Sequence, residues 1–149
     1  MNKDWIEIIA TPLDATRAIE FVSAPEAGGI NVFLGTSRCE TASGGRELVA
    51  LDYEAYREMA LQQMHELARL AREKFPIVKL AVLHRVGRVA LAEPSVVIAV
   101  SSPHRGQAFE ACRFLIDELK KQVAIWKKEV WADGSTSWVD PQAQPGSKS

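Results

Sequence analysis

VVIAVSSPHRGQAFEACRFLIDELKKQVAIWKKE, Val96 to Glu129, joins three kinds of local structure in one run. Val96 to Val100 is continuously apolar, the pattern of a strand covered on both faces. Ser102 is suited to cap a helix, and Pro103 to open one, because the missing N–H of proline is unpaired in a first turn anyway. Beyond them Ala108, Cys112, Leu115 and Leu119 recur at helical spacing, flanked by Ala111 and Ile116. Past the helix, Lys127 to Trp131 reads as a short strand. A buried strand feeding a long amphipathic helix and then another strand calls for a sheet with a helix laid across it.

Outward from this run the elements keep mixing. Upstream, Lys79 to His84 is a strand, and Val86 to Leu91 is another after a bend near Gly87. A long helix over Tyr56 to Lys74 precedes them. It carries Ala60, Met64, Leu67 and Ala71 on one face with Leu70 beside them, and Pro76 ends it. Leu48 to Tyr53 alternates as a strand. Gly35 to Arg46 reads as loop, Gly29 to Leu34 as a strand, and Ala24 to Gly29 as a turn. Asp14 is placed to cap a short helix over Ala15 to Val22, and Trp5 to Ile9 is the first strand. Thr136 to Val139 is a last short strand. Strands and helices do not alternate strictly as βαβ, so the class is α+β, with two long helices. Residues 1–139 read as one domain. Residues 140–149, DPQAQPGSKS, lack core formers and read as a mobile tail.

The 149 residues are 47% apolar and 25% charged with a net charge of −1. That balance suits one globular domain and offers no general attraction to nucleic acid or an acidic membrane. Any anion site must be a local cluster of basic groups. Two cysteines without a CxxC pair argue against a disulfide framework and a zinc site. The charged N-terminus is unlike a signal peptide, and no apolar run approaches the roughly 20 residues of a membrane span. The expected setting is the cytoplasm.

Three clusters can carry chemistry. Ser101-Ser102-Pro103-His104-Arg105-Gly106 follows a buried strand and opens a helix, whose free N–H groups and dipole favour an anion. His104 and Arg105 add donors or positive charge, and Gly106 permits close approach of a ligand. The plainer reading is a capped helix with two solvated polar residues. Lys120, Lys121, Lys127 and Lys128 gather near a helix end, where cations commonly serve the dipole and solubility. Their clustering around Ile125-Trp126 suggests instead a pocket, in which a lysine of lowered pKa can act as base or nucleophile. Gly35-Thr36-Ser37-Arg38 follows a strand and ends in an arginine suited to gripping phosphate or carboxylate, or simply exposed on a loop. Cys39 reads as an incidental thiol and Cys112 as a packed apolar residue. His65 falls on a helix surface and His84 at a strand end. Neither has a ligand partner at short spacing, so no metal is assigned.

VLHRVG (Val82 to Gly87), VVIAVSSPHRGQAFEA (Val96 to Ala111) and LKKQVAIWKKE (Leu119 to Glu129), with FLGTSR (Phe33 to Arg38) and LDYEAY (Leu51 to Tyr56), resemble the large subunits of molybdopterin synthase over about Gly29 to Trp138. The resemblance implies a hammerhead-like fold, with a mixed, largely antiparallel sheet and a small additional β subdomain. It implies sulfur transfer from the C-terminal Gly-Gly thiocarboxylate of a small ubiquitin-like partner to a cyclic pyranopterin phosphate, precursor Z, forming the dithiolene of molybdopterin. It implies a heterotetramer built on a dimer of large subunits, and no cofactor. Lys120 and Lys127 match the catalytic lysines of such subunits. Arg38, His104 and Arg105 match their substrate-binding residues, with Lys128 and Glu129 in the same block and Thr36 and Ser37 beside Arg38. The chain departs from many members at Ala124, where they have proline, and after Trp138, where it has no arginine. A non-catalytic module that docks a ubiquitin-like tail is the competing reading, because the same lysines and Ile125-Trp126 would serve it.

One helix cannot bring both ends to one ligand. His104 and Lys120 stand 16 positions apart, roughly 24 Å at about 1.5 Å per residue. A pterin phosphate is far shorter. A site completed across a two-fold dimer, with His104 and Arg105 from one chain and the lysines from the other, is the simpler expectation.

Overall fold

A computed structural model describes residues 2–139. The expected tail, 140–149, lies outside the described residues. The strands are β1 (Asp4–Ile9), β2 (Gly29–Thr36), β3 (Leu48–Ala55), β4 (Lys79–Arg85), β5 (Gly87–Ala90), β6 (Pro94–Ser102), β7 (Ile125–Trp131) and β8 (Thr136–Trp138). The helices are α1 (Ala15–Val22), α2 (Arg57–Lys74) and α3 (Arg105–Gln122). The strands form two four-stranded sheets, ordered β1-β4-β6-β2 and β5-β3-β7-β8. The β1–β4 pair is parallel and every other pair is antiparallel. This is the mixed, largely antiparallel α+β architecture expected, the second sheet being the additional β unit. Among the described residues, no helix is long and apolar enough to cross a membrane.

The continuous apolar run of β6 follows from its position. Val96, Ile98 and Val100 point to one face and meet Ala60, Met64, Leu67 and Ala71 of α2 and Ala111, Cys112, Leu115 and Leu119 of α3. Val97 and Ala99 point the other way, to Ala18 and Val22 of α1. Successive strand residues alternate faces, so only a strand with helices on both sides buries them all. Asp14 caps α1, its carboxylate accepting from the Thr16 and Arg17 amides at 3.0 and 3.3 Å.

Several boundaries differ from the sequence reading, three of them around the site residues. Ser102 does not cap α3. β6 runs on through it, because Gly29 pairs with Ser102 and Gly28 N–H donates to its carbonyl at 3.0 Å. The helix starts at Arg105, with His104 in the cap position and no side-chain cap bond. The last long strand begins at Ile125, since Ile125 and Trp126 pair with Ala55 and Glu54, so Lys127 sits inside it. β2 also extends into the presumed loop, to Thr36.

Candidate active site

α3 ends at Gln122, and the chain reverses over Val123-Ala124 into β7. Both amide groups of Ala124 are held. Its N–H donates to Gln63 Oε1 at 2.7 Å, and its carbonyl accepts from Tyr56 N–H at 3.2 Å. Lys120, in the last turn of α3, and Lys127, third in β7, therefore flank one reversal braced by the start of α2. Lys120 is solvent-accessible, yet the surrounding protein withdraws enough water to lower its pKa below that of an ordinary lysine, with Asp117 opposing the shift.

Consecutive residues of β7 face opposite sides of the second sheet. Lys127 and Glu129 share the face of Tyr53 and Leu51, their partners in β3. That face is covered, for Leu51, Tyr53, Val89 and Trp131 form a buried cluster on it. Lys128 emerges on the other side, its Nζ 5.1 Å from the centroid of the Trp138 ring and close enough to help hold the Asp52 carboxyl below its usual range. Arg88 dominates that lowering, at 2.7 Å from Asp52. The structure thus separates Lys128 from Lys127 within the chain.

Glu129 is buried and accepts from Ser137 Oγ at 3.3 Å. With Ser37, Arg38, Glu40, Leu48 and Leu51 it lines a small cavity of about 10 Å³, room for about one water. Ser37 is buried and its hydroxyl finds no hydrogen-bond partner among the described residues, while Thr36 and Arg38 are exposed. The loop after β2 therefore brings Ser37 and Arg38 onto the same face as Glu129 and Lys127.

His104 and Arg105 lie at the other end of α3, both exposed. No acidic residue stands in the first turn and no side chain caps it, so its amides face outward with their partial positive charge. Behind them Ser102 Oγ and Gln107 Oε1 are buried without hydrogen-bond partners among the described residues. The β2 start is pressed close: a Cβ on Gly29 would fall 2.8 Å from Arg105 Cα, and one on Gly28 2.3 Å from the Pro103 carbonyl oxygen. The predicted site residues thus form two groups, an anion-ready end and a lysine end, on opposite ends of one helix. The two cysteines follow the sequence reading: Cys39 is exposed, and Cys112 is buried with its thiol pushed up to about 11 by desolvation.

The residue that sequence reasoning passed over is His84. It is 5% exposed, and its ring meets Tyr53 edge-on at 5.2 Å. Burial lowers its pKa to about 4, with Lys127 contributing in the same direction. The apolar run Leu80 to Leu83 leading into it was the available signal.

These features define an α+β protein with an uncapped, basic helix start and a lysine pair at the far end of the same helix. The sequence matches the family described as MoaE protein over residues 8–122. A molybdopterin synthase catalytic subunit of Thermoplasma volcanium is 45% identical over 138 residues, covering 93% of this chain and 99% of the relative. One from Bacillus subtilis is 42% identical over 138 residues, covering 93% and 86%. The crystal structure of molybdopterin synthase from Staphylococcus aureus superposes with a TM-score of 0.84 at 34% identity, over 90% of this chain and 96% of that one. A complex of subunits 1 and 2 of molybdopterin-converting factor from Helicobacter pylori matches at TM-score 0.74 and 20% identity, over 91% and 90%, a likeness of fold. The chain belongs to the MoaE protein family, that of the molybdopterin synthase catalytic subunits.

Proposed function

We propose that this chain is the sulfur-transferring subunit of a molybdopterin synthase, acting in the cytoplasm on a cyclic pyranopterin phosphate. The sulfur donor is the C-terminal Gly-Gly thiocarboxylate of a small ubiquitin-like partner. In each transfer the acyl C–S bond of the partner breaks, and on the pterin side chain a C–S bond replaces a C–O bond whose oxygen leaves with the phosphate or as water. Water takes up the acyl group, leaving a carboxylate. The observation that carries the reading is the pair Lys120 and Lys127 on either side of one braced reversal, with the Lys120 pKa lowered. A lysine so tuned is a better base near neutral pH, and its charged form stabilises an oxyanion at the acyl carbon. Lys127 holds the pterin or tunes Lys120.

The uncapped start of α3 supports a phosphate site at His104 and Arg105. Arg38, on the loop that carries Ser37 just past Thr36 at the end of β2, adds a planar grip beside Glu129. Lys128, on the outer face with Trp138, enters this reading only as a contact for the partner or a second copy. The length of α3 separates the two ends by roughly 24 Å, which favours a two-fold dimer in which each chain completes the other's site, within a heterotetramer.

Reconstitution tests the reading. Purified chain, thiocarboxylated partner and precursor Z should yield dithiolene product, detected by mass or by fluorescence after oxidation. No product from well-folded protein sinks it. A docking module makes a different prediction for Lys120→Ala. The enzyme loses turnover and keeps its partner, whereas the module loses the partner or nothing.

A further inference from the structure

Of the three histidines, His84 alone is buried. It lies near the end of β4, between Ile8 of β1 and Val96 of β6. Its Nδ1 lies 2.9 Å from the Arg85 carbonyl oxygen. A carbonyl only accepts, so Nδ1 carries the ring proton and donates it there, which leaves the lone pair on Nε2. The ring then meets Tyr53 of β3 edge-on, with planes 63° apart. Tyr53 stands directly opposite Lys127 in the β3–β7 ladder. Directly opposed residues rise from the same face with Cβ atoms about 5 Å apart. One strand of the first sheet and two of the second thus bring His84, Tyr53 and Lys127 together at the seam between the sheets. Burial keeps the ring uncharged at neutral pH, and the ammonium of Lys127 is close enough to act on it electrostatically.

We propose that His84 is a positioning residue for Lys127: its ring, oriented by the Arg85 carbonyl and braced by Tyr53, holds the lysine toward the site and gives it a neutral, lone-pair-bearing neighbour. The role rests on the reading of Lys127 as a site lysine. A charged group in the ring's place would repel the ammonium, and an apolar one would remove the polar, uncharged neighbour that the ring provides.

Two substitutions separate positioning from packing. His84→Asn keeps an N–H donor near the Nδ1 position and removes Nε2. His84→Gln sets its amide near the Nε2 position. Lysine side chains labelled with carbon-13 at Cε report each ammonium by NMR at pH 7, with Lys127 assigned by Lys127→Arg. His84→Asn should move the Lys127 resonance, leave that of Lys120 in place, and lower kcat by about tenfold or more. The KM for precursor Z should change by less than kcat does, because the anion end that holds the phosphate is untouched. His84→Gln should recover part of kcat. An unmoved Lys127 resonance, or an unchanged kcat, in His84→Asn overturns the proposal. Should His84→Asn not fold, the reverse experiment decides. Lys127→Met in an otherwise native chain should shift the ring nitrogen-15 resonances of His84 at pH 7, and no shift overturns the coupling. A Lys127→Ala chain that keeps full turnover defeats the assignment of the lysine itself. An inactive Lys127→Ala beside an unperturbed His84→Asn defeats the histidine's role alone.

Discussion

Folding lowers the pKa of Lys120 and of His84, two side chains of the proposed site. Desolvation holds Lys120 below the usual lysine range, so its free amine is more abundant near neutral pH than in an exposed lysine. The carbon-13 titration of Lys120 should have its midpoint below the ordinary lysine value. Asp117→Asn should lower the midpoint further, because the Asp117 charge now opposes the shift. His84 acts on stability. Its pKa falls from 6.5 to about 4 on folding. Between those values the unfolded chain binds a proton that the folded chain refuses, so stability is intact above about pH 6.5 and falls as the pH drops toward 4. The full loss is about 3 kcal/mol, from about 1.4 kcal/mol per pH unit. Urea unfolding at pH 7 and pH 4.5 should show the wild type losing more stability on acidification than His84→Asn.

At the scale of elements, the turn between α3 and β7 and the start of α3 are the parts that would hold the two halves of the proposed site in place. Gln63 reaches from α2 to the Ala124 amide. Gln63→Ala leaves that partly buried N–H without its partner and should cost about 1–3 kcal/mol. In an Ala124→Pro background the N–H is already gone, so Gln63→Ala should then cost little. A double-mutant cycle by urea denaturation measures the difference. At the other end, β2 and α3 meet through two glycines. Gly28→Ala drives a methyl into the Pro103 carbonyl oxygen, and flexible side chains cannot relieve a backbone clash. The expected result is a loss of about 1–3 kcal/mol in stability and a raised KM for precursor Z, since the clash displaces the loop that carries His104 and Arg105. Steady-state kinetics on Gly28→Ala, with a substitution at exposed Glu26 as control, checks this.

For the whole molecule, the decisive fact is that α3 is unbroken from Arg105 to Gln122. A straight helix of that length keeps its ends apart, so the proposed site needs a second chain to bring its two halves to one ligand. Mixing a His104→Ala chain with a Lys120→Ala chain should restore activity that neither has alone. In a random mixture half the dimers are mixed and each mixed dimer has one intact site, so recovery should approach about a quarter of wild type. No recovery, with dimers formed, means that each chain holds its own complete site.

The periodicities of the chain were enough for its elements and its class. Cys112, Leu115 and Leu119 of the helical stripe pack with β6, as their spacing required, and the unbroken apolar run of Val96 to Val100 reports helices on both faces. Asp14 announced its helix through capping chemistry alone. The lysine pair and the basic helix start were legible because charges clustered beside apolar residues stand out in one dimension. What the sequence left undecided is what depends on pairing between distant strands. Ser102 has the chemistry of a cap, but hydrogen bonds to Gly28 and Gly29 keep it in β6. Lys127 and Lys128 are equivalent by type, and only the register with Tyr53 and Asp52 sends one inward and the other out. By sequence His84 is a strand-end histidine, and only the tertiary structure sets Tyr53 of the second sheet against its buried ring. Local spacing encodes which face a residue takes within its own element. Which neighbour that face meets is settled when the elements pack, because contacts between segments distant in sequence are not encoded by local spacing.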